Sequence, residues 1–282
     1  MVAYVFPGQG SQKVGMGQDL FTAFPDTVRQ ADDILGYSIV DLCTNDPNQK
    51  LNQTQFTQPA LYIVNALAYY QKRETDGVKP DYAAGHSLGE YNALLAAEVF
   101  DFETGLKLVQ KRGELMSQAH DGGMAAVIGL SADQLNQLFQ EHHFSSLCVA
   151  NYNTYNQIVI AGSKEEIDQA ASVFKQIEGV RFLPLKTSGA FHSPFMKEAQ
   201  KQFERFISAF SFSSPKIPVI ANVTANPYKS DDVAGLLSEQ ITHPVRWVET
   251  TEYLIAQGET DIVEIGPGNV ITNLIRRIRN KQ

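Results

Sequence analysis

An α/β fold interrupted by a smaller inserted unit is what the chain predicts, on three observations. Short apolar runs such as Val2–Phe6, 217–222 and 261–265 alternate with segments of helical periodicity, the pattern of an open sheet covered by helices. Between residues 124 and 186 that rhythm gives way to strand, helix, strand, strand, helix, strand, a unit complete in itself, after which the first pattern resumes. Finally, a small apolar approach at Ala83-Ala84 runs into Gly85-His86-Ser87-Leu88-Gly89, a sharp strand-to-helix turn that carries a serine. Two bodies are therefore expected. Residues 1–123 and 188–282 form the larger, and 124–187 form an inserted ferredoxin-like subdomain with a cleft beside it.

The composition narrows the function. With 282 residues, 43% of them hydrophobic, the chain can bury one large core and one small one. A net charge of −8 and a pI near 5.3 lack the basic stripe of a nucleic-acid binder. No apolar run reaches the length of a membrane span, and no basic region followed by an apolar signal opens the chain. Cys43 and Cys148 stand in dissimilar contexts without metal-ligand spacing, and read as lone buried thiols of a reducing compartment. A cytoplasmic monomer without a metal or cofactor is expected.

Taken in order, Val2–Phe6 is a strand buried on both faces that breaks at Pro7-Gly8-Gln9-Gly10-Ser11-Gln12. That loop lies at a strand's C-terminal end, where open α/β sheets place their sites, and its glycines let the backbone at Gln9 approach a ligand. Residues 20–42 are helical with interruptions at Pro25 and Gly36, and Asp46-Pro47-Asn48 is a turn. Thr57-Gln58-Pro59-Ala60-Leu61 opens a long helix to about Lys72, with proline in its first turn. An amphipathic helix over 91–99 follows the serine turn, and a second spans 101–118. In the latter, Arg112 falls between Leu108 and Leu115 on the packed face while Lys111 points out. A guanidinium there cannot shed its charge and needs an anion. Either an acidic side chain of this chain supplies it, or a substrate carboxylate does.

In the inserted unit the strands fall at 124–130, 147–151, 157–161 and 181–185. The helix over 131–142 is capped by Ser131, and that over 163–176 by a capping box of Ser163 and Glu166. Beyond it, Gly189-Ala190-Phe191-His192-Ser193 is a loop of small residues at a helix start. His120, His142 and His143 sit at polar helix ends, His86 adjoins the serine and His243 precedes Pro244. His192 is the best placed to act as a base for Ser87. The final helix bears Arg276, Arg277 and Arg279, which complement its dipole.

A serine on such a turn with a later histidine implies acyl transfer through an acyl-enzyme. α/β-Hydrolases place an orienting acid between the two. Asp101, Asp121, Asp133 and Asp168 occupy that interval, but none has a hydrolase-like setting, which leaves a backbone carbonyl as the alternative orienting group.

With these residues in view, the chain resembles the malonyl-CoA:acyl carrier protein transacylases, most of all the free-standing acyltransferases that serve polyketide synthases. The resemblance runs through Phe6-Pro7-Gly8-Gln9-Gly10-Ser11-Gln12, Thr57-Gln58-Pro59-Ala60-Leu61, Gly85-His86-Ser87-Leu88-Gly89-Glu90-Tyr91, Arg112-Gly113 with Met116, Gly189-Ala190-Phe191-His192-Ser193, Pro244-Val245-Arg246-Trp247 and Glu264-Ile265-Gly266-Pro267-Gly268. It implies an α/β-hydrolase-like large subdomain, Ser87 as nucleophile and His192 as base. It further implies an oxyanion hole from the N–H groups of Gln9 and Leu88, a histidine-orienting carbonyl at Arg246, and Arg112 as the seat of the malonyl carboxylate. Phe191 would crowd a branch methyl and so favour malonyl over methylmalonyl. The substrate would be malonyl-CoA and the acceptor the phosphopantetheine thiol of an acyl carrier protein. Carrier proteins are usually acidic, so Lys186 and Lys197 near His192 are candidates to meet one. A proofreading hydrolase of the same family would lack the arginine, and a non-catalytic docking relative would lack the serine or histidine. Gly36-Tyr37-Ser38-Ile39 and Asp101-Phe102-Glu103-Thr104-Gly105 look closer to the polyketide group than to the enzymes of primary fatty-acid synthesis.

Overall fold

The computed structural model describes residues 1–258 and 261–280, and within them the strands form two separate sheets. The first contains β1 (Val2–Phe6), β2 (Tyr82–Gly85), β7 (Val219–Ile220) and β8 (Asp261–Glu264) in the order β7-β2-β1-β8, all parallel. β1 is buried along Ala3, Tyr4, Val5 and Phe6, as a strand covered by helices on both faces must be. The second contains β3 (Gly122–Ile128), β4 (Cys148–Thr154), β5 (Gln157–Ser163) and β6 (Arg181–Pro184) in the order β4-β5-β3-β6, all antiparallel. Its helices, Ala132–Glu141 and Lys164–Phe174, enclose a small core of their own around Leu135, Ile160, Ile167 and Phe174. Both sheets therefore follow the alternation read from the sequence.

Several local expectations shift. The long helix runs Thr54–Asp76, so Pro59 lies inside it rather than in its first turn. The helix after the serine turn is Gly89–Ala96, and every residue of it is buried. It is a fully buried helix packed on β1 and β2, and not an amphipathic surface one. Pro25 heads one helix and Gly36, at φ 77, ends it, which splits residues 18–44 into three short helices at the two breaks expected. The run at 217–222 contributes only Val219 and Ile220 to the sheet. Ser131 forms a full capping box with Gln134. At Ser163 only half of the box exists: its hydroxyl accepts from the N–H of Glu166, but the Glu166 carboxylate turns away to the N–H groups of Ser145 and Ser146. Two helices, Val233–Glu239 and Trp247–Ala256, had no clear signature, and the connection between them reaches the site.

Candidate active site

Ser87 sits between β2 and the Gly89–Ala96 helix with φ 52, in the left-handed region. The flanking glycines are forced by contact. A Cβ on Gly85 would lie 1.9 Å from the carbonyl carbon of Gly89, and one on Gly89 would lie 2.1 Å from the carbonyl oxygen of Phe6. Buried Asn222 braces the turn, its Oδ1 accepting from the Ser87 N–H at 2.7 Å and its Nδ2 donating to the Gly85 carbonyl at 2.7 Å.

His192 comes to the serine from the loop after β6, also with a positive φ of 56. Its Nε2 lies 2.7 Å from Ser87 Oγ. Its Nδ1 lies 2.8 Å from the Gln240 carbonyl and 3.2 Å from the His243 carbonyl. Carbonyls only accept, so Nδ1 carries the proton and the Nε2 lone pair faces the hydroxyl. Burial first, then the nearby Arg112 charge, lowers the His192 pKa to about 3 against the raising effect of the Gln240 carbonyl. The ring is neutral and able to accept a proton.

The orienting carbonyl is thus not that of Arg246. Arg246 stands at the start of the Trp247–Ala256 helix, where its carbonyl accepts from the Thr250 N–H at 3.0 Å. Its guanidinium pairs with Glu249 and reaches the carbonyls of Val223 and Thr224. Committed to the first turn of that helix, it leaves the role to the end of the preceding one. Gln240 escaped the sequence reading because a backbone oxygen acts there, and that carries no residue-type signal.

The loop after β1 packs directly on the serine turn: a Cβ on Gly8 would lie 2.3 Å from the His86 carbonyl oxygen and 3.6 Å from the Leu88 nitrogen. Gln9 and Leu88 both line the cavity at Ser87, and neither of their N–H groups has an acceptor among the described residues. Free N–H groups beside a serine hydroxyl are the kind of donors that a tetrahedral oxyanion requires.

Arg112 is 1% exposed and makes no ion pair among the described residues. Nη1 donates to Gln58 Oε1 at 2.5 Å, and Nη2 to Gln240 Oε1 at 2.7 Å and Ser87 Oγ at 3.2 Å. The ring of Tyr91 lies 5.8 Å beneath it, and Nε has no partner. Burial lowers its pKa while Tyr91 and Glu90 oppose that, but an arginine stays charged. Of the two sources of an anion, the structural ion pair is absent among the described residues.

These groups open into a cavity of about 240 Å³ between the two sheets. Met124, Ala126, Asn153, Gln157 and Val159 of the antiparallel sheet line it together with Gln9, Gln58, Ser87 and Arg112 from outside that sheet. Asn153 meets the Nε2 of His86 at 2.8 Å, tying the sheet to the serine turn. Phe191 is buried beside His192 and lines the same cavity. Lys186 and Lys197 are exposed, and Lys197 reaches Gln200.

A family model described as an acyl transferase domain matches residues 3–281. The chain belongs to this acyl transferase family. It is 55% identical to a polyketide biosynthesis malonyl CoA-acyl carrier protein transacylase of Bacillus subtilis (strain 168), over 99% of this chain and 97% of that one. Its mixed α/β fold matches the crystal structure of a malonyl CoA-acyl carrier protein transacylase from Burkholderia pseudomallei with a TM-score of 0.98, at 52% identity and covering 100% and 99% of the two chains. It also matches, at TM-score 0.93 and 39% identity over 99% and 93%, a malonyl-transacylase solved in complex with its type II polyketide synthase acyl-carrier protein.

Proposed function

We propose that this protein moves a malonyl group from malonyl-CoA to the phosphopantetheine thiol of an acyl carrier protein, through a seryl acyl-enzyme. The observation that carries the reading is one oxygen, Ser87 Oγ, lying 2.7 Å from a neutral histidine nitrogen and 3.2 Å from a buried arginine that has no carboxylate partner among the described residues. His192 Nε2 takes the proton from Ser87 as Oγ attacks the thioester carbonyl. The anion that forms is held by the N–H groups of Gln9 and Leu88. As the intermediate collapses, the carbon–sulfur bond breaks and His192 returns the proton to the CoA sulfur. The carrier's thiol then enters and the same steps run in reverse, so one thioester and one thiol are consumed and one of each is released. Arg112 receives the malonyl carboxylate by giving up its contact to Ser87 Oγ and offering its spare N–H groups. That arginine also sets the protein apart from a hydrolase of uncharged acyl groups. Phe191 walls the cavity against a branch methyl, a discrimination of about 1–3 kcal/mol.

The larger body, 1–123 with 188–282, is read as α/β-hydrolase-like and 124–187 as the inserted ferredoxin-like unit. The support is a parallel sheet with its serine turn at the end of β2, and a self-contained β4-β5-β3-β6 sheet. The pathway is polyketide synthesis, following the name of the Bacillus subtilis relative. Mass spectrometry after mixing with malonyl-CoA tests the reading. A malonyl adduct is expected on the wild type and none on Ser87→Ala, and an adduct that survives the substitution overturns it.

A further inference from the structure

Beside the nucleophile lies a buried carboxyl that the transfer chemistry does not use. Glu90 is 0% exposed in the Gly89–Ala96 helix, and three donors surround it. The Tyr228 hydroxyl at 2.5 Å and the Asn222 N–H at 3.0 Å meet Oε1, and the side-chain amide of Gln240 meets Oε2. All three give a hydrogen bond and none needs to accept one; burial pushes the Glu90 pKa up to about 7, and these donors together with the Arg112 charge work against it in favour of the carboxylate.

Gln240 joins this carboxylate to the arginine. Its amide nitrogen donates to Glu90 and, at 2.9 Å, to the Ser87 carbonyl, while its amide oxygen accepts from Arg112 Nη2 at 2.7 Å. A reversed amide would put N–H groups against the guanidinium and an oxygen against two acceptors, so the partners dictate its orientation. The interposed amide has a physical consequence. In direct contact, Glu90 would occupy the guanidinium and leave nothing for an incoming anion. One amide away, its ionised form offsets the cost of burying the positive charge while Arg112 touches only neutral oxygens.

We propose that Glu90 is a positioning residue for the carboxylate seat: by fixing the Gln240 amide with its oxygen on Arg112, it holds the guanidinium ready for an anionic acyl group and so sets selectivity for malonyl over uncharged acyl groups. This rests on the reading that Arg112 receives the malonyl carboxylate.

The test is acylation of the full-length protein by malonyl-CoA and acetyl-CoA, compared across Glu90→Gln, Gln240→Met and Arg112→Ala, with melting temperatures recorded. Gln240→Met keeps the backbone carbonyl on His192 and removes only the amide. In it the malonyl-to-acetyl ratio of kcat/KM is expected to fall about tenfold or more, mainly through KM for malonyl-CoA. Glu90→Gln is expected to lower the ratio likewise. Should that variant not fold, Gln240→Met decides, because the amide is the link through which Glu90 acts. A wild-type ratio in Gln240→Met or in folded Glu90→Gln, or an equal loss for both acyl groups, overturns the proposal. Arg112→Ala separates it from the reading beneath: a collapsed ratio there with an intact one in the other two variants sinks the proposal alone. An unchanged ratio in Arg112→Ala removes the carboxylate seat, and the proposal with it.

Discussion

His192 shows how strongly one residue's surroundings can move its chemistry. An exposed imidazole would lose half its basic form near pH 6.5, but burial and the Arg112 charge hold this one down to about 3. The base is therefore neutral throughout the ordinary range, and acylation by acetyl-CoA is expected to be nearly flat from pH 8 to pH 5. An inflection near 6.5 that persists in Glu90→Gln, which removes the buried carboxyl pushed up to about 7, would mean that His192 titrates as a solvated ring. Stability has its own sign. A histidine with a depressed folded pKa lets the unfolded chain bind a proton that the folded one refuses, so stability is lost as pH falls from about 6.5 toward 3. His192→Ala lacks that loss. The gap in melting temperature between the wild type and this variant should narrow from pH 7 to pH 5, and a gap that widens contradicts the buried neutral ring. The serine and the histidine were legible in the sequence because their residue types carry the chemistry. Arg112 was legible as inward-facing from helical spacing alone, though spacing could not tell an ion pair from a substrate seat.

At the scale of elements, the serine turn is held by parts far apart in the chain. β2 delivers it, the Phe6 carbonyl closes over Gly89, and Asn222 clamps both Gly85 and Ser87 from the end of β7. Gly89→Ala should fail to fold into a soluble protein, since its Cβ would meet backbone and not a movable side chain. Asn222→Ala is a gentler probe. It leaves the part-buried Ser87 N–H and the buried Gly85 carbonyl without these partners, a loss of about 3 kcal/mol. It also frees a serine whose φ of 52 is unfavourable, so acylation should slow while the variant still folds. Wild-type acylation and an unchanged denaturation midpoint would show that the clamp is idle. Strand and helix order was readable because periodicity records burial. Asn222 was read only as the end of a strand, and Gln240 lay in a stretch without periodicity. Their hydrogen bonds link residues more than a hundred positions apart, and no local pattern encodes such a pairing. The Pro59 placement failed for a related reason: a first-turn proline is a preference, and a helix packed from Thr54 to Tyr69 can begin a turn earlier.

For the whole molecule, the question is how two acidic proteins meet. The chain carries a net charge of −8, and an acidic carrier would be repelled at long range by that total. Attraction must then come from a local patch within a Debye length, about 8 Å at physiological salt, of the place where the carrier's prosthetic arm enters. Lys186 follows Leu185, which lines the cavity, and Lys197 heads the helix that follows the His192 loop. Both are exposed, so their charges are available to a docking surface. Transfer from the acyl-enzyme to the carrier should therefore weaken as salt rises, chiefly through KM for the carrier. Transfer to free pantetheine, which enters the same cavity without a protein attached, should stay nearly constant. Lys186→Glu combined with Lys197→Glu should raise the carrier's KM about tenfold at low salt and leave the pantetheine reaction within about twofold. Carrier transfer that ignores both salt and this double reversal would place the docking surface elsewhere on the rim.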